Sequence, residues 1–162
     1  MGVITDYFRA ADADTVVAAI RAADGLPLII GEHAVFDGVA AKGIDPDVVL
    51  GALIEAIGST IETTDIDDTW VWPTTARPDR NSPDDDDSWQ TGPWVAQLPE
   101  TTRDLLATTA DDDLPAVAAR WVRSEELEGA TADDMLNLLT ELVGLARRAR
   151  DSGEALFCWV YV

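Results

Sequence analysis

A chain of 162 residues, 47% of them apolar, is long enough to bury about two thirds of its unfolded surface and too apolar for global disorder. Its 31 acidic residues stand against 11 basic ones, a formal net charge of −20, which repels nucleic acid and anionic lipid and favours encounter with a basic partner. A single cysteine, Cys158, excludes an internal disulfide, and no stretch is apolar for long enough to cross a membrane as a helix.

The opening "MGVITDYF" has no basic region followed by an apolar run, so it is not a secretory leader; it reads as an edge strand or a short helix, and the chain as a cytoplasmic protein. In "DADTVVAAIRAAD", Asp12 or Asp14 caps a helix that places Val16, Val17 and Ile20 on one side and ends near Gly25. "LPLII", residues 26–30, predicts a buried strand that begins at Pro27 or lies at an edge. After the loop "GEHAVFDGVAAKG", Asp45 and Pro46 open a helix in which Val49, Leu53, Ala56 and Ile57 recur at helical spacing, up to Gly58.

Periodicity dissolves between Ser59 and Trp94. "TWVWP" predicts a short strand stopped by Pro73, and residues 73–94 form a long loop with four prolines and the run Asp84–Asp87. Three helices follow, near 99–109, 112–124 and 132–150. The last starts at Thr131 and Asp134 as a capping box with Asp in place of the usual Glu. Its stripe of Met135, Leu138, Leu139, Leu142, Val143 and Ala146 is worth on the order of 10 kcal/mol gross when buried. Arg147, Arg148 and Arg150 suit the negative end of its dipole, and Gly153 closes it. The unbroken apolar run "ALFCWVYV" predicts a central strand. The expected fold is α+β: one helix-rich domain over residues 1–162, with a small sheet that includes the C-terminal strand and a long acidic loop at about 73–94.

No motif fixes a reaction. Calcium loops starting at Asp65, Asp84 or Asp111 all fail, since the sixth position is Trp70, Trp89 or Ala116 where glycine is required. His33 is the only histidine, so no two-histidine zinc site forms, and no phosphate loop, dinucleotide fingerprint or nucleophile elbow is present. No metal and no cofactor is therefore expected. Cys158, inside an apolar strand, reads as an inert small hydrophobe.

Charge is densest in residues 61–90, where 9 acidic and 2 basic residues give −7, and four of the six tryptophans (Trp70, Trp72, Trp89 and Trp94) fall within the overlapping 25 residues 70–94. Carboxylates beside indoles suit cationic side chains through ion pairing and cation–π contact. Asp84, Asp85, Asp86, Asp87 and Trp89 are thus candidate partner-binding residues for a basic protein, in a non-enzymatic module of the immunity or inhibitor type. Two blander readings stand beside this: a solubility surface, and tryptophans that only pin the loop to the core. A different class, a small-molecule enzyme or sensor, would use a pocket at His33 with Glu32 and Asp37.

The stretches "MGVITDYF", "FDGVAAKGIDPDVVLGALIEAI", "GPWVAQLP" and "LARRARDSGEALFCWVYV" resemble an uncharacterised family of small acidic actinobacterial proteins. The opening and the final helix-then-strand are also similar to the YfbM-like family, which implies an α+β domain; the acidic middle departs from it. Neither resemblance implies a catalytic residue.

Overall fold

The structure is a computed structural model that describes residues 2–59, 69–78 and 88–162. Its elements run β1 (Ile4–Ala10), α1 (Ala13–Ala22), β2 (Gly38–Ala40), α2 (Val48–Ile57), β3 (Trp70–Trp72), α3 (Ser88–Thr91), β4 (Trp94–Gln97), α4 (Glu100–Thr108), α5 (Leu114–Trp121), α6 (Ala132–Asp151) and β5 (Ala155–Tyr161). The five strands make one antiparallel sheet in the order β2-β1-β5-β4-β3. This is the expected α+β fold, and the C-terminal strand is its centre.

Register assigns each side chain to a face. Tyr7 stands opposite Cys158, and Thr5 opposite Val160. Tyr7, Val39, Leu156, Cys158 and Val160 therefore share one face and bury it under α2, α4, α5 and α6. Phe8 opposite Phe157 and Asp6 opposite Trp159 mark the other face. There Phe8, Val95, Phe157 and Trp159 pack with Val16 and Ile20 of α1 and with Leu28.

Helix ends follow local chemistry. Asp12 accepts the Thr15 amide at 2.8 Å, and Asp45 accepts the Asp47 and Val48 amides at 3.0 and 2.7 Å. Thr131 accepts the Asp134 amide at 3.1 Å, while its hydroxyl donates back to the Asp134 carboxylate at 2.7 Å. Arg147 donates to Ala107 O and Thr109 O at 3.1 and 2.6 Å, satisfying carbonyls at the end of α4. In the deepest layer, Trp121 donates its indole N–H to Val49 O at 3.0 Å, and Tyr7 its hydroxyl to Ile44 O at 2.8 Å.

Three expectations are corrected. β1 is neither an edge strand nor a helix: β2 and β5 flank it on both sides. "LPLII" is not a strand. Leu28 is buried, but its carbonyl accepts Val35 N and Phe36 N at 2.8 and 3.2 Å, closing a loop that leaves Leu26 and Ile30 exposed. A Cβ at Gly38 would sit 2.5 Å from Cγ2 of Ile29 in this loop and 2.5 Å from the Tyr7 carbonyl oxygen of the paired strand, so only glycine fits there. Finally, the 73–94 region contains the short helix α3, and its last residue begins β4.

Candidate functional site

β3 is the edge strand that leads into the acidic segment, and α3 and β4 follow it. It pairs with β4 as Trp70 opposite Ala96 and Trp72 opposite Val95, with an irregularity between them. Because Ala96 and Val95 face opposite ways, this bulge turns Trp70 and Trp72 to opposite sides of the sheet although they are two residues apart.

On the helix-covered side, Trp70 meets Trp89 edge-on, with ring centroids 6.5 Å apart. Trp89 is half-buried; its indole N–H donates to the Thr75 carbonyl at 3.1 Å and the Arg77 guanidinium lies 5.9 Å from its ring centre. Trp94 donates to the Trp89 carbonyl at 3.2 Å. Trp70, Trp72 and Trp94 are half-buried as well, so all four indoles of the middle segment rest against the protein and show one part of their surface to solvent. Asp84 to Asp87 lie outside the described residues.

On the other side, Trp72 sits under the Arg21 guanidinium, 5.8 Å from the ring centre, and packs with Phe8, Val16 and Val95. A groove starts here. Ile20, Arg21, Asp24, Gly25, Trp72, Ser88, Gly92 and Pro93 line its first part, a pocket of about 330 Å³. Asp24, Gly25 and Pro93 are shared with a second pocket of about 420 Å³, whose further walls are Leu26, Pro27, Trp159 and Tyr161. Gly25 joins the two: its would-be Cβ lies 3.2 Å from Pro93, and its carbonyl accepts the Trp159 indole at 3.2 Å. Trp159 and Tyr161 stack with centroids 6.0 Å apart. Tyr161 is 43% exposed and Leu26 52%, while Ile4, opposite Tyr161 in the ladder, extends the apolar surface.

The groove thus runs from Ser88, which directly follows Asp87 in the chain, to the last residues of β5. Sequence reasoning missed it, since its walls come from α1's end, the turn after it, β4's start and the C-terminal strand. The one available signal was "ALFCWVYV" itself, where three aromatic residues at period two, Phe157, Trp159 and Tyr161, must share a face.

The second predicted site is dispersed. His33 and Glu32 lie exposed in a 3-10 turn, Gly31–His33. Asp37 turns to arginines: Arg148 Nε and Nη2 donate to its two oxygens at 2.7 and 3.2 Å, and Arg9 Nε donates to Oδ2 at 2.7 Å. Hydrogen bonding to Arg148, and to a smaller extent to Arg9, holds the Asp37 carboxyl below the usual carboxylate value, against partial burial, which acts the other way. Cys158 is fully buried beside Tyr7, and burial pushes its thiol far up.

Asp6 differs from the other acids. It is 3% exposed on the α1 side of the sheet, beside Trp159; its Oδ2 has no hydrogen-bond partner among the described residues, and burial raises its pKa. Among the described residues, no group of three or more His, Cys, Asp or Glu side chains is placed to hold a metal ion, and no helix is long and apolar enough to cross a membrane.

No protein-family model and no curated protein matches the chain. Among solved structures it is similar to YfbM from Escherichia coli, a protein of unknown function, at 13% identity and a TM-score of 0.41, over 97% of this chain and 99% of that one.

Proposed function

We propose that the chain is a non-enzymatic binding protein that blocks a basic protein partner, in the manner of an immunity or inhibitor protein. Asp84 to Asp87 and Trp89 supply the charged approach, and the groove supplies the seat. The observation that carries this reading is the groove itself: an apolar trough with Trp72, Pro93, Trp159 and Tyr161 in its walls and Asp24 at its waist, opening beside the residue that follows four consecutive aspartates.

Charge and apolar surface then divide the work. A net charge of −20 accelerates encounter with a cationic surface and is weakened by salt. The exposed Tyr161 phenol and the half-buried Trp72 and Trp89 indoles lengthen the stay, since aromatic anchors dominate interface energies. Arg21 is the one arginine in the groove walls, where it lies over Trp72; Arg9, Arg103, Arg120, Arg147 and Arg148 line neither part of the groove and donate to carbonyls or carboxylates elsewhere in the fold. The enzyme or sensor reading at His33, Glu32 and Asp37 draws no comparable support, because the Asp37 carboxylate is already held by two arginines.

The test compares the parent chain with a variant in which Asp84–Asp87 are serine and Trp89 is alanine, each used as bait in native lysate. A basic protein captured by the parent and lost by the variant supports the reading. A partner recovered equally by both removes the acidic segment from the function.

A further inference from the structure

The second part of the groove has the chemistry of a side-chain pocket. We infer that the pocket of about 420 Å³ between Leu26, Pro27, Pro93, Trp159 and Tyr161 receives one lysine or arginine side chain of the basic partner, its alkyl stem on the rings and its charge at Asp24. This rests on the reading of the chain as a binder of basic proteins.

Four observations converge on that occupant. The walls are apolar or aromatic, and the phenol ring of Tyr161, 43% exposed and backed by the buried Trp159, offers a flat surface to a methylene chain or a guanidinium plane. The Trp159 indole is locked by its bond to Gly25 O, so the wall is formed before anything binds. Asp24 is the only described non-glycine residue in the left-handed region, at φ 50°, followed by Gly25 at φ 80°; this double reversal delivers an exposed carboxylate to the pocket margin. Among the described residues that carboxylate has no hydrogen bond or ion pair, and Arg21, three residues back, is turned to Trp72 and to Thr74, with its Nη2 3.4 Å from the Thr74 hydroxyl. An apolar slot that ends at an unpaired anion, on a protein of charge −20, is complementary to an alkyl cation and to no anionic group.

The probes are butylammonium, butylguanidinium and neutral 1-butanol, titrated into the full chain while the Trp159 indole and Gly25 amide signals are followed by 1H–15N NMR. Both cations are expected to shift these signals saturably at millimolar concentration, at least about fivefold more tightly than butanol, as one exposed charge pair allows. Asp24→Asn keeps the side-chain shape and the tolerance of a left-handed backbone; it is expected to remove the preference for cations and leave butanol unchanged. Tyr161→Ala should weaken all three probes.

Butanol binding as well as the cations, or an Asp24→Asn variant that keeps the preference, overturns the cationic occupant. Shifts confined to signals away from Trp159 and Gly25 overturn the pocket. A chain that still captures a basic protein yet fails these titrations loses this pocket alone, whereas a chain that takes the cations but captures nothing basic loses the larger reading.

Discussion

Arg148, in the last turn of α6, grips Asp37 with two donors although 111 residues separate them in the chain. Asp37 stands at the entry to β2, and Arg9 of β1 reaches the same carboxylate while also holding Glu154 at 2.7 Å. One acid thereby ties the longest helix, an interior strand and an edge strand together.

Asp37→Asn is expected to cost about 1 kcal/mol at pH 7, a value kept small because Asp37 and Arg148 are partly exposed. Since the folded-state carboxyl is held below its ordinary value, its ionisation stabilises the fold at pH above that value and ceases to do so as pH falls through the depressed one. Denaturation of parent and variant at several pH values should show the gap at neutral pH closing in acid. A gap that persists undiminished at pH 2 would contradict the ion-pair account.

Asp6 carries the opposite sign. Burial raises its carboxyl, so the folded state binds the proton more tightly than the unfolded chain does. Its contribution is favourable below the ordinary carboxylate value and turns into a penalty as pH rises through the raised one. Asp6→Asn removes the buried charge and is expected to stabilise the protein at pH 7 by on the order of 1 kcal/mol, with no gain at pH 3. Urea denaturation midpoints at the two pH values decide it, and a variant destabilised at pH 7 would show that Asp6 is satisfied in solution.

Elements with local causes were legible in the sequence. Asp45, Thr131 with Asp134, and the glycines that end α2 and follow α6 act within one helical turn, and the helices stand within two residues of where these signals place them; α2 begins at Val48, with Pro46 in the turn before it instead of at the first helical position. β5 was legible for another reason: seven successive residues, most of them apolar, can be buried only where both faces of a strand are covered. β2 and β4, three and four residues long, were not, because so short a strand is defined by its partners β1 and β5 and not by its own pattern. "LPLII" failed for the same reason in reverse, an apolar run that covers the sheet without joining it. Of the site, the tryptophan cluster was visible as composition; the groove was not, since Asp24, Pro93 and Tyr161 are brought together only by the sheet order.

Cys158 offers a check on the core. The thiol is fully buried between the strands' helix-covered face and α6, and burial keeps it protonated at any working pH. Its reaction with a thiol-specific disulfide reagent at pH 8 is expected to be at least about 100-fold slower in the native protein than in denaturant, because it requires opening of the structure. A rapid native reaction would mean that β5 is not the sealed centre of the sheet.

The charge itself makes the last prediction. Acidic residues are spread along the whole chain, with −6 from residues 1–60, −7 from 61–90 and −7 from 91–162, so folding brings like charges together everywhere. Salt screens that repulsion over about 10 Å at 0.1 M, and more closely as the concentration rises. It also weakens the Asp37 and Glu154 ion pairs, but these are few against a net excess of 20 acids. Raising sodium chloride from 20 mM to 500 mM should therefore increase the melting temperature by several degrees, while capture of a basic partner falls over the same range. The opposed directions separate the two roles of the charge: a field that only served solubility would leave capture unchanged, whereas one that steers a partner stabilises the complex under the very conditions that strain the free protein.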